Sequence, residues 1–146
     1  MKLANVLLST LLALSFNTNA APDKSLEHQV SAYFAAQVKV EYKNSTPQDV
    51  DSLLALLGDD ARFEHPRFNA VQTKAQYKKG LLHYLGQYSR CKITQLDSMQ
   101  GLNALFVRYS HHCADNDGVF QAKDIEQLTT LFEFKQGKIA LIRHYF

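Results

Sequence analysis

The chain has 146 residues, with 16 basic and 14 acidic side chains and a formal net charge of +2 at pH 7. Because this charge is close to zero, it gives no support for a nucleic acid or an anionic membrane as partner. The length suits one domain with a core of its own, and no repeat or low-complexity linker divides the sequence.

Residues 1–20 have the layout of a secretory signal peptide. One charge at Lys2 precedes an apolar run over residues 3–16, and a short polar stretch ending in Ala20 follows. The run is too short, and too often interrupted by polar residues, for a membrane-spanning helix. We therefore predict cleavage after Ala20, a periplasmic or secreted location, no membrane contact after cleavage, and a single domain over residues 21–146.

Three helices are predicted in the first half of that domain. Residues 24–42 carry apolar side chains at helical spacing. A second helix begins after Thr46, which caps it ahead of a proline at the first helical position, and ends at Gly58. Thr73 caps the third helix, whose apolar stripe continues to Tyr88.

Strands are predicted mainly in the second half, where the hydrophobic period changes to two. They cover residues 61–65, 91–99, 103–113, 122–135 and 138–146. Turn residues separate the later strands at Gln100-Gly101, at residues 115–118 and at Gln136-Gly137. Helices followed by an antiparallel meander indicate an α+β domain with its helices on one face of a curved sheet.

Two stretches of sequence resemble a known superfamily. They are Leu56-Leu-Gly-Asp-Asp-Ala-Arg-Phe-Glu-His-Pro66 and the closing pattern F-x-F-x-x-G-K-I-x-x-I-R-x-Y-F over residues 132–146. Both are similar to the SnoaL-like branch of the NTF2-like superfamily, which includes proteins like ketosteroid isomerase and limonene-epoxide hydrolase. The resemblance implies an NTF2-like cone: three N-terminal helices packed on a strongly curved, mainly antiparallel sheet around a pocket. It also implies a homodimer formed through the convex face of the sheet.

The resemblance also suggests catalytic candidates. Limonene-type epoxide hydrolases use an arginine and two aspartates to activate water and protonate the epoxide oxygen. The arginine falls on Arg108 of this chain, and the aspartates fall on Ser110 and His144, so both carboxylates are replaced. A histidine in an apolar pocket near a serine could act as a base, because its pKa lies close to neutral. The alternative is a histidine hydrogen-bonded at the rim of the sheet.

The faces of the strand at 103–113 decide which residues meet the pocket. One face carries Leu105, Val107, Tyr109, His111 and Cys113, and the other carries Ala104, Phe106, Arg108, Ser110 and His112. Composition alone would put the first face in the core. Since a sheet of this family has two covered faces, we predict that the mixed face forms the pocket wall. The turn at Gln136-Gly137 would place His144 opposite Thr129.

Further ligand contacts are predicted from position along the chain, and metal contacts are not. The candidates are Tyr33, Asp60, His65, Phe106, His112 and Ile142. Tyr33 could instead be plain core, Asp60 a solvated loop residue and His65 a surface residue at a strand end. The neighbouring His111 and His112 point to opposite faces of a strand, so we predict no metal site. We also expect no cofactor.

The two cysteines are read as structural. In an oxidising compartment an even count favours a disulfide between Cys91 and Cys113, and two separate buried thiols remain the alternative. If the turn centres on Gln100-Gly101, Cys91 falls opposite Ser110. A direct pairing needs a loop centred near Leu102, so the disulfide and the strand register depend on each other.

Three functions remain open on this sequence. The first is an exported domain that binds a small apolar or amphipathic molecule in its cone. The second is an isomerase, cyclase or hydrolase with His144 or Asp60 as base and Arg108 stabilising negative charge. The third is a protein-interaction module that exposes Leu105, Val107 and Tyr109 as an apolar patch.

Overall fold

The computed structural model describes residues 25–119 and 125–146. The predicted signal peptide lies outside these ranges. So does the part before residue 125 of the strand predicted over residues 122–135. The elements are α1 (Leu26–Glu41), α2 (Pro47–Leu54), β1 (Leu57–His65), β2 (Ala70–Thr73), α3 (Lys74–His83), β3 (Arg90–Gly101), β4 (Ala104–Ala114), β5 (Ile125–Lys135) and β6 (Lys138–His144). None of the helices in the described ranges is long and apolar enough to span a membrane.

The strands form one curved mixed sheet in the order β2-β1-β6-β5-β4-β3. All neighbours in it are antiparallel except β1 and β6, which are parallel. The three helices pack on one face, and aromatic rings join the two layers: Phe34 of α1 lies 4.7 Å from Tyr109 and 5.7 Å from Phe132, between ring centroids. The predicted α+β fold is confirmed.

The helices begin where the sequence predicts, but two of them end earlier. Thr73 accepts a hydrogen bond from the backbone N–H of Gln76, whose side chain accepts one from the backbone N–H of Thr73. This reciprocal pair caps α3. The predicted end of α2 at Gly58 is wrong, because the chain leaves the helix after Leu54 and Gly58 already belongs to β1. The stripe predicted to continue to Tyr88 ends with α3 at His83.

One strand is missing from the sequence prediction. A single 3-10 turn at Pro66–Phe68 and a left-handed Asn69 (φ 48°) reverse the chain after β1. The four residues of β2 then pair with the end of β1, with Glu64 opposite Val71. A strand this short carries too little alternation to be recognised from its pattern.

The turn between β3 and β4 lies at Leu102 and Asn103, so the prediction of a turn at Gln100-Gly101 is wrong. Asn103 supplies the positive φ of 57° that such a turn requires. A bulge at Leu96 then shifts the ladder by one residue. As a result Cys91 lies opposite Cys113, and the predicted disulfide is present with its sulfur atoms 2.02 Å apart.

The closing hairpin between β5 and β6 has the predicted turn but not the predicted register. Gln136 and Gly137 both have positive φ, at 53° and 71°, as a two-residue hairpin turn needs. Phe134 pairs with Ile139, but the next pair is Glu133 with Leu141, which leaves Ala140 as an extra residue. This bulge places His144 opposite Thr130, so the predicted pairing with Thr129 is wrong.

Candidate functional site

A cavity of about 370 Å³ opens between α1, α3 and the sheet. Its size lies at the small end of the range for small-molecule sites, roughly 300–1,000 Å³. Aromatic and aliphatic side chains supply most of the wall, and a few polar groups interrupt it. The lining residues are Tyr33, Gln37, Val40, Glu41, Phe63, Gln72, Tyr77, Gly80, Leu81, Tyr84, Gln87, Tyr88 and His144.

Two buried tyrosines meet in this wall. The hydroxyl oxygens of Tyr33 and Tyr77 are 2.7 Å apart and hydrogen-bonded, and the ring of Tyr77 stacks on Phe63 with centroids 4.5 Å apart. Burial raises the pKa of both phenols well above the ordinary value of a tyrosine. Both hydroxyls therefore keep their protons, and one of them remains a donor beyond their mutual hydrogen bond.

A second polar chain runs from the core to the cavity. Nδ1 of His144 lies 2.7 Å from Oγ1 of Thr130, which in turn lies 3.3 Å from the hydroxyl of Tyr109. Thr130 is fully buried, so these contacts fix the orientation of the imidazole from behind. With Nδ1 occupied by Thr130, Nε2 is the ring nitrogen left for a ligand.

Burial keeps the imidazole of His144 neutral. Desolvation lowers the pKa of His144 to about 3, and the nearby ring of His65 acts in the same direction. A base with such a low pKa accepts protons poorly at neutral pH. Burial therefore moves the pKa of His144 away from the near-neutral value that a base would need, and it favours the uncharged ring as a hydrogen-bonding group.

His65 supports His144 from outside the cavity wall. Its ring lies 5.8 Å from that of His144 and 4.5 Å and 5.0 Å from those of Phe68 and Phe146, between centroids. Burial, with Arg67 as a second cause, lowers the pKa of His65. Its buried Nδ1 has no hydrogen-bond partner among the described residues. The ring is therefore part of an aromatic cluster rather than a lining residue.

One carboxylate reaches the cavity, and the sequence analysis did not name it. Glu41 is the last residue of α1 and lines the cavity wall. Its Oε2 lies 2.8 Å from Nε2 of His111, and its Oε1 accepts a hydrogen bond of 3.2 Å from the side chain of Gln37. These two partners hold the carboxylate in place.

The mixed face of β4 does not form the pocket wall. Arg108 points to the outer face, where its exposed guanidinium lies 3.8 Å from a carboxylate oxygen of Asp97. Phe106, on the same face, contacts Tyr145 with ring centroids 5.7 Å apart. Ser110 and His112 share this strand face, and neither lines the cavity.

The opposite face of β4 is the inner one, as composition alone indicates. Leu105, Val107 and Tyr109 are buried in the core beneath α1. They form no exposed patch, so the prediction of an interaction surface there is wrong. Neighbouring residues of a strand face opposite sides. If the inner side is assigned to the wrong one of two neighbours, every side chain of the strand is placed on the wrong face.

The remaining predicted contacts divide in two. Tyr33 lines the cavity as predicted. Asp60 lies in a separate surface depression, exposed and 3.6 Å from the ammonium group of Lys135. Ile142 is fully buried in the core and does not line the cavity. The structure therefore brings together Tyr33 and His144 but not Arg108, Ser110 or Asp60.

A family model described as the SnoaL-like domain matches residues 30–142. The match covers most of the sequence and all the lining residues of the cavity except His144. The chain belongs to the SnoaL-like domain family. A search of curated proteins found no match.

Solved structures of other proteins share the fold of this SnoaL-like domain. A ketosteroid isomerase-like protein from Catenulispora acidiphila, in complex with trimethylamine, is 13% identical with a TM-score of 0.60, over 81% of this chain and 84% of that one. An NTF2-like protein from Burkholderia pseudomallei is 12% identical with a TM-score of 0.61, over 82% and 88%. An LEH-like epoxide hydrolase from M. tuberculosis is 20% identical with a TM-score of 0.60, over 81% and 79%.

Sequence reasoning missed three residues of the site in this SnoaL-like domain. Tyr77 belongs to the stripe of α3, which reads as plain core. Thr130 comes opposite His144 only through the bulge at Ala140. Glu41 is the last residue of α1, and the rest of that helix has the pattern of a buried face. The charge at this last position was the sequence signal that could have identified Glu41 as a site residue.

The neutral state of His144 predicts a specific acid sensitivity. In the unfolded chain a histidine has a pKa of about 6.5, whereas in the folded protein the pKa of His144 is about 3. Between these values the unfolded chain binds a proton that the folded one does not, so stability falls as pH falls. From pH 6 to pH 4 this group should remove up to about 1.4 kcal/mol per pH unit from the free energy of unfolding.

Urea unfolding at several pH values measures this effect. The variant His144→Gln should show a shallower loss of stability with acid than the unsubstituted protein. Equal slopes for the two proteins would contradict the assignment of a buried, neutral imidazole.

Proposed function

We propose that this SnoaL-like domain is an exported protein that binds a small, largely apolar molecule in its cavity and performs no acid–base catalysis with a carboxylate pair. The observation that carries the proposal is the state of His144. Its imidazole is fixed by Thr130 and kept uncharged by burial. Such a group suits recognition by hydrogen bonding better than proton transfer.

The charges around the cavity indicate the class of ligand. Among the described residues that line it, none is a lysine or arginine, and Glu41 is the one carboxylate. An anionic ligand would therefore meet no opposite charge and would lose its hydration on entry. Tyrosine faces and a carboxylate favour an uncharged molecule or a small cation such as an amine.

The enzymatic alternative finds no support in the arrangement of its residues. Arg108 lies on the outer face of the sheet beside Asp97, and Asp60 lies beside Lys135 in a different depression. Neither can share a substrate with His144 in the cavity. The likeness to an epoxide hydrolase is a likeness of fold at 20% identity, and this fold serves many functions.

Export is supported by two independent features of the chain. Residues 1–20 have the pattern of a signal peptide. Cys91 and Cys113 form a disulfide, and disulfides persist in the periplasm and outside the cell.

A homodimer through the outer face of the sheet is supported by a row of side chains across all six strands. The row runs Val71, Glu64, Arg143, Leu131, Phe106 and Met99, each opposite the next in the strand ladders. The ends are apolar and open: Val71 is 61% exposed and Met99 is 70% exposed. A contiguous apolar patch is typical of a contact surface, and Met99, Phe106 and Leu131 are neighbours on three adjacent strands.

Filling the cavity should abolish ligand binding without unfolding the protein. Gly80 lines the cavity, and a Cβ atom built there meets nothing within 4 Å. Gly80→Leu therefore places an apolar side chain in open space, and loss of a helical glycine adds about 1 kcal/mol of stability. The matched control is Lys79→Leu, one residue earlier on an exposed position of α3.

Ligand-observed NMR with three probes that share a cyclohexyl ring tests both this prediction and the charge preference. We expect cyclohexanol and cyclohexylammonium to bind the unsubstituted protein and Lys79→Leu, and cyclohexanecarboxylate to bind weakly or not at all. Gly80→Leu should bind none of them. Equal signals in both variants, or the carboxylate as the strongest ligand, would refute the proposed site.

Charge placed on the outer face should separate the dimer. Met99→Lys places a cation beside Phe106 and Leu131, in the apolar part of the row, at an exposed position, so the fold should tolerate it while the subunits repel each other. Leu102→Lys, at the 93% exposed turn beside it, is the control. Light scattering should report a monomer for Met99→Lys alone, and an unchanged mass for both variants would argue against this interface.

A further inference from the structure

A second group of side chains lies beside the cavity, around the disulfide. It consists of Glu41, Cys91, His111 and Cys113, whose ligand-type atoms all lie within 4.8 Å of one another. The residues come from three elements: Glu41 ends α1, Cys91 is on β3, and His111 and Cys113 share the inner face of β4. The fold itself therefore brings these atoms together.

The separations within the group are close to those of a metal site. Nε2 of His111 lies 2.8 Å from Oε2 of Glu41 and 3.3 Å from Sγ of Cys113. Sγ of Cys113 lies 3.8 Å from Oε2 of Glu41. In a tetrahedral zinc site with bonds of 2.0–2.3 Å, ligand atoms lie roughly 3.3–3.8 Å apart. Three of the four ligands thus need only small movements to surround an ion.

The kinds of ligand point to zinc among the common metals. Two thiolates, an imidazole and a carboxylate form a set that zinc accepts, and thiolates disfavour magnesium and calcium. The carboxylate is also supported from behind, because the side chain of Gln37 donates a hydrogen bond to Oε1 of Glu41. That bond leaves Oε2 directed at the other ligands, as outer contacts do in established sites.

We propose that reduction of the Cys91–Cys113 disulfide turns this group into a zinc site. A thiol or phosphine reductant supplies two electrons, the S–S bond breaks, and two protons from solvent give two thiols while the reductant is oxidised. Zinc then displaces both thiol protons and binds two thiolates, the imidazole of His111 and the carboxylate of Glu41. Exchange with a second disulfide, which takes up the two electrons and is itself reduced to two thiols, re-forms the Cys91–Cys113 bond, removes two ligands and releases the ion.

The position of the disulfide allows this exchange. Cys91 lines an open surface depression together with Tyr42 and Ser89, whereas Cys113 is 8% exposed. The depression therefore gives a reductant a path to Cys91, which is less buried than Cys113. The zinc site lies beside the cavity and shares Glu41 with its wall.

Metal titrations of the full mature chain test the proposal. Zinc affinity is measured by competition with a chromophoric chelator, before and after reduction with a phosphine, and cobalt serves as a spectroscopic substitute. We expect one zinc per reduced chain and binding weaker by at least about a hundredfold in the oxidised protein. Cobalt should give a thiolate charge-transfer band and the visible bands of a tetrahedral site.

Three variants assign the ligands. Glu41→Gln and His111→Ala should each weaken zinc binding to the reduced protein by at least about tenfold. His112→Ala is the matched control, because the neighbouring histidine lies on the outer face and should leave the affinity unchanged. Circular dichroism of every sample establishes that the fold is retained.

Several results would overturn the proposal. One is a reduced protein that stays folded but does not bind one zinc ion per chain. Another is an affinity unaltered in both Glu41→Gln and His111→Ala, which would mean that the thiols alone bind the metal. A reduced chain that loses its circular dichroism signal and does not regain it with zinc would also refute it.

Discussion

The site depends on one extra residue in the closing hairpin. The bulge at Ala140 shifts the pairing of β5 with β6 by one position, so that His144 lies opposite Thr130 on the inner face. Without it, His144 would pair with Thr129 and face outward, because successive strand residues alternate. The same shift brings the imidazole within hydrogen-bonding distance of Thr130, whose hydroxyl also lies within hydrogen-bonding distance of the hydroxyl of Tyr109. Both the buried polar chain and the cavity wall therefore follow from this register.

The chemistry of the cavity follows from what surrounds His144. The aromatic rings of Phe63 and Phe146 lie against it. Among the described residues, no carboxylate is hydrogen-bonded to it. A buried imidazole without such a partner loses hydration and gains no opposite charge, so it stays neutral. The nearest functional carboxylate in the wall, Glu41, is instead directed at His111. The proposed ligand site and the proposed zinc site thus occupy neighbouring parts of one inner surface.

The fold can be predicted well from the sequence because long periodic segments indicate helices and strands, and turn residues indicate the turns between them. Helix α1, strand β4 and the turn at Gln136-Gly137 all follow from such patterns. The site is harder to predict because single bulges decide it. Leu96 and Ala140 each add one residue without disturbing the local alternation, yet the first aligns the cysteines and the second turns His144 inward. For β4, the composition of the two faces indicates the inner face correctly. The pattern carried over from the family instead assigns the pocket wall to the outer face.

The most direct test of this account is proton–nitrogen NMR of the histidine rings. His144 should keep one neutral tautomer between about pH 7 and pH 4, and cyclohexanol should shift its Nε2 signal. The variant Thr130→Val should move the Nδ1 signal and so assign the resonance. A ring of His144 that titrates near pH 6.5, or one that is unaffected by every cavity ligand, would contradict the account.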